Sequence, residues 1–165
     1  MSTKDVKRVI DVMYLIFLGA SIGGILTLGI IMTSTIFHSE LYIGPILSHY
    51  QEGQIMAQGF DKFSYFLGFM AIFIAGYEMY SYKILQRDNT VMIATFISLS
   101  TIALFIGVYT PKILAMQAEG QEATESIAFQ NLHLGSELDF KILVVALFVL
   151  MFRRLYVLLK GRATA

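Results

Sequence analysis

Three histidines, a short run of carboxylates and a set of opposed charges are the side chains of this chain whose types and spacing could do chemistry. His38, His49 and His133 lie in or beside two polar connections, with Met56 and Met116 and several Asp and Glu residues near them. Imidazole, thioether and carboxylate are ligand types that hold copper and other transition metals, so a transition metal is the first cofactor to expect, with His133 and His38 as the leading pair and His49 beside them. Haem b is the weaker alternative, because histidines on a bundle can serve as axial ligands but no two of these stand at i, i+3 or i, i+4. His133 follows Phe129 by four and precedes Ser136 by three, which puts ring, imidazole and hydroxyl on one helix face. Glu137 and Asp139 stand within a turn or two and favour a bound cation. Phe129, His133, Ser136, Glu137 and Asp139 therefore form the expected ligand-binding set.

A second group needs partners more than it offers a reaction. Asp11, Glu78, Arg153 and Arg154 fall inside or at the ends of apolar stretches, where an unpaired charge costs roughly 3 kcal/mol or more. Counting helical rise from one end places all four at a similar depth. Pairing across helices is expected, with Glu78 turned inward toward an arginine and the hydroxyls of Tyr77 and Tyr80. Glu137 and Lys141, four apart, suit a helical ion pair.

The elements that must position these residues are apolar helices. Hydrophobic residues make up 56% of the 165, and four segments reach or approach the roughly 20 apolar residues needed to cross a bilayer. A single all-α, four-helix transmembrane domain over 1–165 is expected, with helices at about 9–37, 63–85, 91–109 and 134–158. Lys4, Lys7, Arg8, Lys83, Arg87, Arg153, Arg154, Lys160 and Arg162 flank one side of these helices, whereas the two longer connections are mainly acidic. By the positive-inside rule both termini are cytoplasmic and the long connections face outward, as in a multi-pass protein of a bacterial inner membrane.

Each outer connection runs to about two dozen residues and is expected to contain a short interfacial helix. In 41–50, Gly44 and Pro45 suit a helix start and Ile43, Ile46, Leu47 and Tyr50 form an apolar stripe. Pro111 is expected to end the third helix, with helix resuming near Ala123. Gly19, Ala20, Gly23 and Gly24, and more loosely Gly68, Ala71, Ala75 and Gly76, read as small-residue faces for close helix packing.

Several classes are excluded or weakened. Equal numbers of basic and acidic residues, 12 each, give no electrostatic case for nucleic acid. The absence of cysteine removes disulfides and thiolate ligands. No nucleophile elbow, phosphate loop or dinucleotide fingerprint is present, which argues against a soluble enzyme and leaves a non-enzyme the better expectation.

Residues 129–136, reading FQNLHLGS before the final helix, carry a resemblance. They look like the F-x-x-LH-x-x-S signature of the transmembrane protein 205-like family, whose bacterial members are described as a domain of unknown function. Pro45 and Leu47 in LYIGPILSH fit the same family's outer segment. The resemblance implies a four-helix integral membrane fold with Phe129, Leu132, His133 and Ser136 as signature positions, and a link to metal or drug resistance and transport. Hydropathy is also similar to copper-resistance D-like membrane proteins and to a haem-containing protoporphyrinogen oxidase group. The expected function is an outward-facing polar pocket that binds or transports a cation, metal or small polar ligand. The alternatives are an accessory subunit of a larger membrane complex and a b-type haem protein. Four helices make a thin wall around a pathway, so a homo-oligomer or larger assembly within the lipid bilayer is expected.

Overall fold

Four helices are long because little in their sequences stops them. A computed structural model describes residues 3–83 and 88–163. The fold is all-α, a four-helix bundle whose helices are each long and apolar enough to cross a membrane. The first runs as α1 (Thr3–Leu26), a π-helical segment (Thr27–Met32) and α2 (Thr33–Phe37). A short α3 (Glu40–Ile43) leads to α4 (His49–Lys83). The third comprises α5 (Asn89–Leu104), a second π-helical segment (Phe105–Tyr109) and α6 (Thr110–Glu119). After α7 (Gln121–Glu125), α8 (Ile127–Ala163) completes the bundle. The molecule is a small polytopic membrane protein.

The bundle has a basic end, where Lys7, Arg153 and Arg154 lie, and an acidic end holding α3 and α7. The apolar spans of 31 to 35 residues are about 50 Å long at 1.5 Å per residue, well beyond the roughly 30 Å of a hydrocarbon core. Three helices extend further toward the acidic end than their apolar cores alone suggest. The second begins at His49 and not near 63, the third reaches Glu119 and not 109, and the fourth starts at Ile127 and not near 134. The connections at the acidic end are correspondingly short. The inner turn expected near Gln86 and Arg87 lies outside the described residues.

Two expected boundaries change for identifiable reasons. Pro111 sits in the first turn of α6 and does not end the third helix. The π-helical turn before it shifts the hydrogen-bond register, which moves the preceding carbonyls away from the pyrrolidine ring and removes the need for its missing N–H. Gly44 and Pro45 end α3 and do not start a helix: Gly44 has φ 75°, a conformation that a side chain would oppose, and Pro45 forbids the helix from resuming at once.

Tyr14, Leu18, Ile22 and Ile25 of α1 meet Leu67, Met70 and Ile74 of α4 and Leu143, Leu147 and Leu150 of α8 in one buried core. The opposite faces present Ile16, Ile72, Phe96 and Val145 outward, as helices solvated by lipid require. Ser21, Ser64, Ser98 and Thr101 are buried, and each donates its hydroxyl to a carbonyl of its own helix, which satisfies the group locally. The small residues act differently from the close backbone crossing expected. A Cβ at Gly24 would lie 3.5 Å from the Phe63 ring and one at Gly29 3.1 Å from Phe140, so these glycines admit aromatic rings, while Gly23 and Gly76 face open space.

Candidate functional site

α2, the start of α4, Phe105 of the second π-helical segment, α6, α7 and the start of α8 surround a cavity of about 700 Å³ at the acidic end. Its floor is aromatic. Phe60 from α4, Phe105 from the π segment and Phe140 from α8 form a triangle with centroid distances of 5.9, 5.4 and 5.2 Å, the Phe60–Phe140 pair meeting edge to face. Met56 and Ala57 continue this surface. Above it the lining turns polar, with Thr110, Gln117, Gln130, His49, His133, Ser136, Glu125 and Glu137.

One wall is a clasp that sequence reasoning missed. The Tyr50 hydroxyl donates to the Gln117 carbonyl at 2.7 Å, and the Gln117 side chain donates to the Gly53 carbonyl at 3.0 Å. Gln117 is buried, and a buried amide needs such partners. Its signal in the sequence, a lone Gln near the end of a helix, is too common to single out. A second latch fixes the first connection: the Ser39 hydroxyl donates to the buried Glu52 carboxylate at 2.6 Å, and His49 Nδ1 lies 3.4 Å from the same group.

Four of the five residues expected to bind a ligand line the cavity: Phe129, His133, Ser136 and Glu137. The Phe129 and His133 rings stack with centroids 6.1 Å apart, and the Ser136 hydroxyl donates to the His133 carbonyl at 2.7 Å. Glu137 accepts from Lys141 at 2.6 Å across one exposed helical turn. Asp139 is buried behind the lining and its Oδ2 has no hydrogen-bond partner.

The histidines divide differently from the expected pairing of His38 with His133. His49 and His133 line the cavity, while His38 stands outside the lining with Nδ1 2.9 Å from the Ser34 carbonyl. His49 packs its ring 5.2 Å from that of Phe37. Among the described residues no group of three His, Asp or Glu side chains is placed to hold a metal ion. The arrangement is that of an apolar recess with hydrogen-bonding groups at its rim, the usual form of an organic-ligand site.

At the basic end the charge group forms a buried network. Arg154 donates through Nε and Nη2 to both oxygens of Glu78. The Tyr14 hydroxyl donates to the same carboxylate at 2.8 Å, and Tyr77 stacks on Tyr14 at 3.7 Å. Asp11 takes Lys7 at 2.7 Å and the Tyr77 hydroxyl at 2.8 Å, not an arginine. Arg153 turns to Asp88, which also accepts from the Val91 N–H as the N-cap of α5. That guanidinium holds the Asp88 carboxyl below its ordinary value. Tyr80, expected inside, faces outward. Tyr14 was the omission; its spacing of three from Asp11 could have revealed the shared face.

A family model matches residues 16–122, from α1 to the start of α7. The chain belongs to the family described as a domain of unknown function, DUF4149. The matched stretch contributes the cavity's walls from the first three helices and ends before residues 129–136. No curated protein and no solved structure matches the chain.

Proposed function

We propose that this protein binds, and moves between membrane and outer side, a small amphipathic molecule with an apolar body and a neutral or cationic head. The observation that carries the reading is the chemistry of the cavity: a floor of Phe60, Phe105 and Phe140, a rim with Glu125 and Glu137, and no Lys or Arg in the lining. An apolar body gains roughly 25 cal/mol per Å² of surface buried against such a floor. A cationic head meets the Glu125 carboxylate and Glu137, whose partner Lys141 stands outside the lining, and an anionic head would find no Lys or Arg in the lining itself. The charge distribution supports a cytoplasmic basic end and an outward cavity in a bacterial inner membrane. Counting 20 residues from Arg153 along α8 sets His133 at about the outer boundary, so the floor lies within the membrane and the rim at its surface.

The test uses a lipophilic organic cation, tetraphenylphosphonium, with a neutral alcohol of similar size as control. Saturable binding should raise the unfolding temperature, by an amount equivalent to about 2.7 kcal/mol at one hundred times Kd. Ala57→Phe, which fills the recess, should abolish the effect. Equal binding by the filled variant, or no stabilisation by either compound, would refute the pocket reading.

A second reading has its own support. Ala94 and Ala146 form part of an open apolar groove of about 410 Å³ between α5 and α8, a surface suited to another helix in a homo-oligomer or larger complex. Native mass measurement in mild detergent separates the two: a monomer that binds the cation favours the pocket, and an assembly that does not bind it favours the accessory role.

A further inference from the structure

Among the described residues the buried carboxylates are Asp11, Glu52, Glu78 and Asp139. Three are supplied with donors: Asp11 by Lys7 and Tyr77, Glu52 by Ser39, and Glu78 by Arg154 and Tyr14. Asp139 is 6% exposed, and its Oδ2 is enclosed without any donor. It stands 14 residues before Arg153 on the unbroken α8, hence about 21 Å from the basic end and inside a hydrocarbon layer of about 30 Å.

No countercharge is in a position to help. The elements packed on α8 are α1, α4, α5, the second π segment, α6 and α7. On α4, Glu78 is held by Arg154 and Tyr14 and Glu52 by Ser39, His49 belongs to the acidic end, and Tyr77 is bonded to Asp11. Of the α4 pair nearest in depth, Asp61 is half-buried and Lys62 exposed, and neither is bonded to Asp139 Oδ2. From Asn89 to Tyr109 there is no Lys, Arg, His, Asp or Glu, and Tyr109 is the only titratable residue; none occurs in Thr27–Met32 either. The charged residues of α1, Lys4, Asp5, Lys7, Arg8 and Asp11, and its Tyr14 belong to the basic end. Lys112 and Glu119 of α6, and Glu122 and Glu125 of α7, belong to the acidic end. On α8 itself, His133 and Glu137 are exposed and Lys141 is bonded to Glu137.

The backbone decides which form of the side chain fits. In a helix every interior N–H is committed, whereas each carbonyl keeps a second lone pair. An ionised carboxylate only accepts, and no donor reaches Oδ2 here; a carboxylic acid carries a donor that a helix carbonyl can use. An unpaired charge at this depth would also cost several kcal/mol. We propose that Asp139 is a proton-binding site, a carboxylic acid in the packed bundle, whose ligand is the proton. Ser136 and Phe140, three before and one after it, both line the cavity, so the cavity is the route by which that proton exchanges with the outer side. The assignment does not depend on the organic-ligand reading and survives its failure.

Dicyclohexylcarbodiimide adds to protonated carboxyls in apolar surroundings, giving a stable acylurea on the carboxyl carbon. With wild-type protein in liposomes at neutral pH, peptide mass mapping should find the adduct on Asp139, decreasing as pH is raised. Infrared spectra of the same protein should show a carboxylic-acid C=O band that is missing in Asp139→Asn. This band decides the matter if the reagent cannot reach the site. Asp139→Asn, which copies the neutral acid, should unfold within a few degrees of wild type. Absence of an Asp139-dependent acid band would overturn the proposal, as would protection from the reagent by sodium or potassium at fixed pH, which would make an alkali cation the ligand.

Discussion

Glu78 and Arg154 carry opposite charges through a region where neither could be tolerated alone, so the consequence of losing one partner is set by the other. Glu78→Gln leaves a buried guanidinium without its countercharge and should cost roughly 3–5 kcal/mol. Tyr14→Phe removes one hydrogen bond to the same carboxylate and should cost roughly 1.5–3 kcal/mol. Thermal unfolding in detergent should rank the two in that order; equal, small losses would mean that water enters the network. Asp88 makes a different prediction because it caps α5 outside the apolar span. Its carboxyl is depressed by Arg153, so its contribution is fully present above the ordinary value near 3.8 and is lost as pH falls through the lower folded value. Asp88→Asn should remove that acid dependence yet keep the N-cap acceptor, whereas Asp88→Ala should lose about 1 kcal/mol more. The sequence made the need for charge pairing legible, since Glu78 and the two arginines fall at one depth. It did not tell which arginine goes where, because the choice depends on helix rotation, and adjacent residues on α8 differ by about 100° in direction.

At the scale of elements, the two π-helical segments matter most. Both lie beside the aromatic floor, one contributing Gly29 and the other Phe105. A Cβ at Gly29 would approach Phe140 to 3.1 Å, and that ring is held by Phe60 and Phe105, so it has little room to retreat. Gly29→Ala should therefore destabilise by roughly 1–3 kcal/mol, although alanine is ordinarily the better helix former. Stabilisation by this substitution, read from the unfolding temperature, would show that the π segment relaxes to α-helix. The apolar cores of the four spans were readable from hydropathy, but the π segments were not, because TLGIIM and FIGVY have the composition of any apolar helix. The extension of the helices into polar territory was hidden for a related reason: 49–62 mixes Gln, Gly, Lys and Asp with apolar residues, and the packing that favours helix there, on α6 through Tyr50 and Gln117 and on Phe105 and Phe140 through Phe60, is long-range.

For the molecule as a whole, the testable statement is sidedness. The chain lacks cysteine, so single cysteines can be introduced without background. Gln121→Cys on α7 should react with an impermeant maleimide added to intact cells, and Lys160→Cys near the end of α8 should react only after permeabilisation. The reverse pattern would invert the cavity and place its mouth in the cytoplasm. The cavity itself was only partly legible: the spacing of Phe129, His133 and Ser136 named a face, but the opposing residues from α4 and α6 came from spans whose ends were hidden.

The stacked tyrosines at the basic end have an optical consequence. The chain has no tryptophan, so its near-ultraviolet circular dichroism comes from tyrosine and phenylalanine alone. Tyr14 and Tyr77, buried with ring centres 3.7 Å apart and planes at 15°, form a coupled chromophore fixed between the first and second helices. The molecule thus carries a built-in spectroscopic gauge of the packing at its basic end, readable without any label as the part of the signal lost in Tyr14→Phe.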